Sequence, residues 1–263
     1  MSSRTPHWTG TLDAFVEYFG QYYPGLRESI VPASDAEIEA LEAIVGIPFP
    51  PEYSAFLGVM GNTPAGALGK FLQYSTYGVQ AVKDFYSTPG IRPPREAIYV
   101  WTYEFDTPFE IFIRTGGSEY DVRPLVQCAW AVDPESGQLL DEEPDQVVLP
   151  ESLPQSLYKE GFLTFRDPLL PYFAEIRESA EVRSSEKRHL RRIAEFQKIA
   201  ERLGFKPVPF MNQNLVFYDR PDASLKLYAQ LEADVVYARG HDEREVARIC
   251  EILSDALDMV RWG

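Results

Sequence analysis

Cysteine, histidine and basic side chains are all scarce in this 263-residue chain, and each scarcity excludes something. The two cysteines, Cys128 and Cys250, lie far apart without any C-x-x-C spacing, so they support neither a disulfide framework nor a zinc site. The three histidines, His7, His189 and His241, have no second His or Cys at ligand spacing, so neither a metal nor another cofactor is expected. No apolar run approaches the roughly 18 residues of a membrane span, and the opening MSSRTPHWTG lacks the apolar core of a secretory signal, so the expected compartment is the cytoplasm. Lys and Arg number 25 against 40 Asp and Glu, a formal charge of −15. A polyanion such as nucleic acid, or an anionic membrane surface, would be repelled.

What is present points to a packed protein. Apolar residues make up 45% and aromatics 13%, enough to fill a core and too much for a disordered acidic tail. The negative charge is uneven: residues 1–180 hold 26 acids and 11 bases, whereas residues 181–263 hold 14 of each. The stretch from Trp101 to Glu151 is densest, with twelve acids against Arg114 and Arg123 alone. Such a field steers a basic partner, although a solvated face that serves only solubility accounts for the same composition.

Helical signals dominate the first sixty residues. Leu12, Phe15, Val16 and Phe19 share one face of a helix over Thr11 to Tyr23. Ser34 with Glu37 three residues on forms a capping box for a second helix, striped by Ile38, Leu41, Ile44 and Val45 and closed by Gly46. Pro48, Pro50 and Pro51 then forbid continuation, and Pro51 suits the first turn of a third helix carrying Tyr53, Phe56, Leu57 and Met60. From Phe71 the pattern shifts to short β-branched and aromatic runs, Ala97 to Tyr103, Phe109 to Arg114 and Leu125 to Val132, with a further short strand at Val147 to Leu149; hairpin connections make an antiparallel sheet. Helices follow over Glu151 to Phe165 and Pro168 to Glu178. The polar Arg183-Ser184-Ser185 and the charge shift place a boundary near residue 182. Beyond it, a helix from Ser185 to Leu203, strands near 205–211, 215–219, 225–230 and 234–238, and a helix from Asp242 to Val260 form a second unit. The fold class is therefore α+β: N-terminal helices on a mainly antiparallel sheet over 1–182, then a small helix-strands-helix unit over 183–263.

Catalytic signatures are missing from this pattern. There is no phosphate-binding Gly-rich loop ending in Lys, no Gly-x-Ser-x-Gly elbow, and Cys128 sits between apolar strand residues. Carboxylates abound, but with 40 of them two will fall at catalytic separation by chance, so a hydrolase built on Asp133 and Glu135 has no specific support. The chain is not expected to be an enzyme. Aromatics beside acids suit an interface better, since Tyr and Trp anchor protein contacts.

The segment SDAEIEALEAIVGIPFPPEYSAFLGVMGN, residues 34–62, resembles the opening motif of the SMI1/KNR4, or SUKH, superfamily. Ile38, Leu41, Glu42, Gly46, Ile47, Pro50, Tyr53, Phe56 and Leu57 occupy its positions, with Gly61-Asn62 in place of an Asn-Gly pair. These are scaffold residues without catalytic roles. The resemblance implies a binding protein: bacterial members act as immunity proteins that block a cognate toxin, often a nuclease with a basic cleft, and fungal members are regulators. The leading expectation is an immunity protein that occludes a basic toxin domain, and the alternative is a regulatory or scaffold protein that binds a cellular protein. The expected contact surface is Trp101, Tyr103, Glu104, Asp106, Asp133, Glu135, Asp141, Glu142, Glu143 and Asp145, aromatics supplying desolvated contacts and acids supplying steering.

Overall fold

Glycine and proline decide where the first helices stop. The computed structural model describes residues 7–64, 67–68, 75–88, 93–103, 109–116, 123–130, 144–178, 186–209, 215–229 and 234–262. The chain divides into two units, Met1–Gly161 and Phe162–Gly263.

In the first unit, α1 (His7–Gly20) is followed by a short α2 (Leu26–Ser29), α3 (Asp35–Val45) and α4 (Pro51–Met60). Ser34 caps α3 as the sequence predicts, its hydroxyl accepting from the Glu37 N–H while the Glu37 carboxylate accepts from the Ser34 N–H at 2.8 Å. Those bonds hold the Glu37 carboxyl below the usual carboxylate range, the Ser34 backbone N–H acting most. Gly46 ends the helix in the left-handed conformation, φ 82°, which a Cβ would disfavour. Of the predicted stripe only Leu41 is fully buried, and Ile44 is exposed. On α4, by contrast, Tyr53, Phe56, Leu57 and Met60 are all fully buried, each contributing about 1.5–3 kcal/mol of burial. The Asn62 side chain then donates to both Glu37 carboxylate oxygens and to the Pro32 carbonyl, tying the end of α4 to the start of α3.

The remainder of this unit is β1 (Ser75–Tyr77), α5 (Gly78–Ser87), β2 (Ala97–Tyr103), β3 (Phe109–Arg114), β4 (Pro124–Ala129), β5 (Asp145–Ser152) and α6 (Leu153–Gly161). The five strands form one antiparallel sheet in chain order, so β1 and β5 are its edges. Helix α5 lies against β2, where Phe85 stacks on Tyr99 at 4.4 Å between ring centroids. Gly78 allows α5 to begin hard against the end of α4: its φ is 86°, and a Cβ there would sit 2.3 Å from the Gly61 carbonyl oxygen. Glu52 at the start of α4 and Arg123 before β4 form a buried ion pair, Nη1 lying 3.1 and 3.0 Å from the two carboxylate oxygens.

The second unit begins earlier than the sequence suggests. Residues 162–166 form one wide helical turn and Asp167–Leu169 a tight one, and then β6 (Tyr172–Arg177) runs as a strand where a short helix over Pro168 to Glu178 was expected. Ala174 and Ile176 point inward at a spacing of two, a strand period, while Pro168 starts only the preceding turn. Because β6 pairs with later strands, the division falls after Gly161 rather than at 182/183. The rest is α7 (Glu186–Arg202), β7 (Lys206–Pro207), β8 (Leu215–Arg220), β9 (Ala223–Ala229), β10 (Asp234–Gly240), α8 (Glu243–Leu257) and β11 (Val260–Trp262). The sheet is antiparallel in the order β11-β6-β10-β9-β8-β7. Its core joins Leu225, Leu227, Val236 and Ala238 to Phe196 of α7 and Ile249 and Leu253 of α8. Helix α8 ends at Leu257, short of the expected Val260, because Asp258 turns left-handed (φ 54°) and releases the chain into β11. Under α7, Arg192 bridges Glu178 and Asp234, and Asp234 also meets His189 Nδ1 at 2.8 Å. Among the described residues, no helix is long and apolar enough to cross a membrane.

Candidate partner-binding surface

Most of the predicted contact surface lies outside the described residues: Glu104, Asp106, Asp133, Glu135, Asp141, Glu142 and Glu143, together with the side chain of Tyr103. Two members can be placed, and they are far apart in the sheet. Trp101 is fully buried in β2, among Ile98, Tyr99 and Val100, all of which are also buried. An unbroken buried run means that both faces of the strand are covered. Trp101 is therefore a core residue and not a surface contact. Asp145, in contrast, is exposed at the start of β5. Three strand spacings, about 14 Å, separate the two strands.

Asp145 opens a sheet edge. Val147 and Val148 follow it, 57% and 52% exposed, and among the described residues β5 pairs only with β4. An edge strand of this kind leaves backbone N–H and C=O groups turned outward and able to pair with an incoming extended segment.

A second surface went unnoticed in the sequence. Between α3 and α4 runs a groove of about 450 Å³ whose walls carry Asp35, Glu39 and Glu42 and whose apolar lining includes Ile38, Ala55 and Val59. The spacing explains it: residues 35, 39 and 42 follow the i, i+4, i+7 rule and fall on one side of α3, facing Ala55 and Val59 one turn apart on α4. No basic side chain lines the groove among the described residues. Glu42 is partly committed, since its Oε1 accepts the Phe49 N–H at 2.7 Å and so fixes the proline-rich turn between the helices. Asp35 and Glu39 remain exposed and free to meet a cation.

The titratable groups elsewhere in the first unit are structural in character. Cys128 is buried in β4, where burial first and the neighbouring Glu110 second push its thiol up to about 12, far from a nucleophilic thiolate. Glu110 in β3, opposite Thr102 and Cys128, is itself pushed up to about 7 by burial. Among the described residues no group of three or more His, Cys, Asp or Glu side chains could hold a metal ion. Among the described residues the geometry offers an acidic, partly apolar contact surface and no assembled acid-base pair or nucleophile.

Comparison with known proteins adds one finding. Residues 32–126, about a third of the chain, match the SMI1 / KNR4 family (SUKH-1). That span contains α3, α4 and the groove between them, and extends through β2 and β3 into β4. No curated protein and no solved structure matches significantly.

Proposed function

We propose that this chain, a member of the SMI1 / KNR4 family (SUKH-1) through residues 32–126, is a non-catalytic immunity protein that binds and occludes a basic toxin domain. The observation that carries this reading is the α3–α4 groove, which lies in the family-matched segment and is lined, among the described residues, by three carboxylates and no base. A cationic loop or helix entering it would find Asp35 and Glu39 as exposed counter-charges and Ile38, Ala55 and Val59 as a desolvated floor, the combination of rim charge and apolar centre typical of protein interfaces. The surplus of acids over residues 1–180 supplies longer-range attraction, which raises association rates more than it deepens affinity. The exposed β5 edge beginning at Asp145, with the acidic stretch 133–143 before it, would extend the contact toward a standard interface of about 1,600 Å².

The test pairs the chain with the toxin encoded beside its gene. Co-expression should rescue growth, and the two proteins should co-elute on a sizing column. Reversing Asp35 and Glu39 to Lys should slow association about tenfold or more at low salt and flatten its salt dependence. Association kinetics unchanged by that double reversal would remove the groove from the interface. A toxin that still kills, with no complex formed, would refute the immunity role.

A further inference from the structure

The second unit contains a cavity that toxin binding by the first unit does not use. Helices α7 and α8 cover one face of the six-stranded sheet, and residues 162–170 cover part of the other: Arg166 Nε donates to Asp219 at 2.9 Å and its Nη2 to the Arg220 carbonyl at 2.8 Å. Where that cover ends, a cavity of about 740 Å³ opens over β6, β9 and β10, with Leu163 and Asp167 on one wall and Phe173, Lys226, Tyr237 and Arg239 rising from the strands.

Its polar groups are incompletely matched. A single oxygen of Asp167, Oδ2, receives the Lys226 ammonium in a hydrogen bond and faces Arg239 Nε at 3.5 Å, so two cations share one carboxylate. Lys226 and Asp167 are almost entirely buried, with side-chain exposures of 5% and 6%. Among the described residues, Asp167 is the only hydrogen-bond acceptor of the Lys226 ammonium, which carries three donors, and Asp167 Oδ1 is buried with no hydrogen-bond partner. Burial lowers the Lys226 pKa, opposed by Asp167, and the ammonium also lies 5.5 Å from the centre of the Tyr237 ring. Neighbouring Arg177 cannot be balanced against this carboxylate, since it is bonded to Glu175. Buried polar atoms are normally paired, and here the buried Lys226 and the part-exposed Arg239 face a single carboxylate, an arrangement that an anion would balance. From residue 162 onward the chain has 17 acids and 16 bases, so its field does not repel one.

Beside these charges stands an aromatic wall. Phe173, which lines the cavity, is 49% exposed; it stacks on Tyr237 with ring centroids 5.7 Å apart, and the Arg239 guanidinium lies 4.9 Å from its ring centre. Leu163 faces the same space and is 37% exposed. We propose that this cavity binds a small aromatic anion, a planar ring bearing a carboxylate or a phosphate, whose oxygens lie between Lys226 Nζ and the Arg239 guanidinium and whose ring packs on Phe173 and Leu163.

The experiment titrates the full chain, in phosphate-free buffer at matched ionic strength, with benzoate, phenyl phosphate, inorganic phosphate and neutral benzyl alcohol, read by calorimetry and by melting temperature. One aromatic anion should bind saturably at one site per chain, and the tighter of benzoate and phenyl phosphate identifies the anionic group. Inorganic phosphate and benzyl alcohol should each bind at least about tenfold more weakly, because each lacks one half of the recognition. Phe173→Ser, at a half-exposed position that leaves the core intact, and Lys226→Met should each weaken binding about tenfold or more. Absence of saturable binding by either aromatic anion up to about 10 mM overturns the proposal. So does binding that Phe173→Ser leaves unchanged, which would mark ordinary ion association at the surface.

Discussion

The buried pair Glu52–Arg123 gives the sharpest test of how the family-matched segment is held to its sheet. Glu52 lies in the first turn of α4, where a carboxylate also favours the positive end of the helix dipole, and Arg123 immediately precedes β4. Both side chains are nearly inaccessible, with exposures of 2% and 7%, and one guanidinium nitrogen reaches both carboxylate oxygens. Glu52→Gln keeps the shape and one acceptor but removes the charge, leaving a buried guanidinium without this carboxylate. Breaking a buried pair from one side costs about 3 kcal/mol, which for a unit of this size lowers the melting temperature by about 6–12 °C. Removing both charges is a different perturbation: Glu52→Met with Arg123→Met exchanges the ion pair for apolar packing and should fall within about 1 kcal/mol of the wild type. Tryptophan fluorescence in urea suits the measurement, because Trp8, Trp101 and Trp130 report the first unit and only Trp262 the second. A loss below about 0.5 kcal/mol for Glu52→Gln would refute the reasoning, since it would mean that water already reaches the pair.

The parts of the fold that were legible in the sequence carry local signals. The Ser34–Glu37 box, Gly46 and Pro51 each act through the nearest few residues, and α3 and α4 begin and end where those residues say. Strands β2 and β3 match their predicted limits because turn residues bracket aromatic and β-branched runs. Helix α5 has no counterpart in the sequence reading: it is ten residues long, starts at a glycine, and precedes the first strand assigned there, at Ala97. Its inward residues Val79, Val82 and Phe85 recur at helical spacing, so a signal was there. That omission has a direct bearing on the site. The side chains that bury β2 include those of α5, so without the helix Trp101 looked like an aromatic beside acids rather than part of the core.

The candidate sites divide in the same way. Asp35, Glu39 and Glu42 were visible at helical spacing, yet whether such a row is a solvated face or a groove wall depends on α4 standing opposite, which is a tertiary fact. The cluster in the second unit is less legible still. Asp167 lies 59 residues from Lys226 in sequence, and only the pairing of β6, β10 and β9 brings the cavity's walls together.

Three further perturbations follow from the first unit. Gly78→Ala should cost about 2–4 kcal/mol, because φ is 86° and the new Cβ would press on the Gly61 carbonyl that accepts the Val79 N–H at 2.8 Å; Gly58→Ala, an α4 position with nothing within 4 Å, should instead stabilise by about 0.5–1 kcal/mol in the same urea assay. Glu110 makes a prediction about pH. Its carboxyl holds a proton up to about 7 in the folded protein, against an ordinary value of 4.5, so between those limits the folded state binds more protons than the unfolded one and stability falls as pH rises. The full interval would be worth about 3 kcal/mol, but the side chain is only half-buried and solvent screening reduces this to about 1–2 kcal/mol. Glu110→Gln should therefore raise stability by that amount at pH 8 and leave it unchanged at pH 4, where the wild-type carboxyl is already neutral in the fold. Parallel stability curves for the two proteins between those pH values would show that Glu110 ionises as freely in β3 as in water.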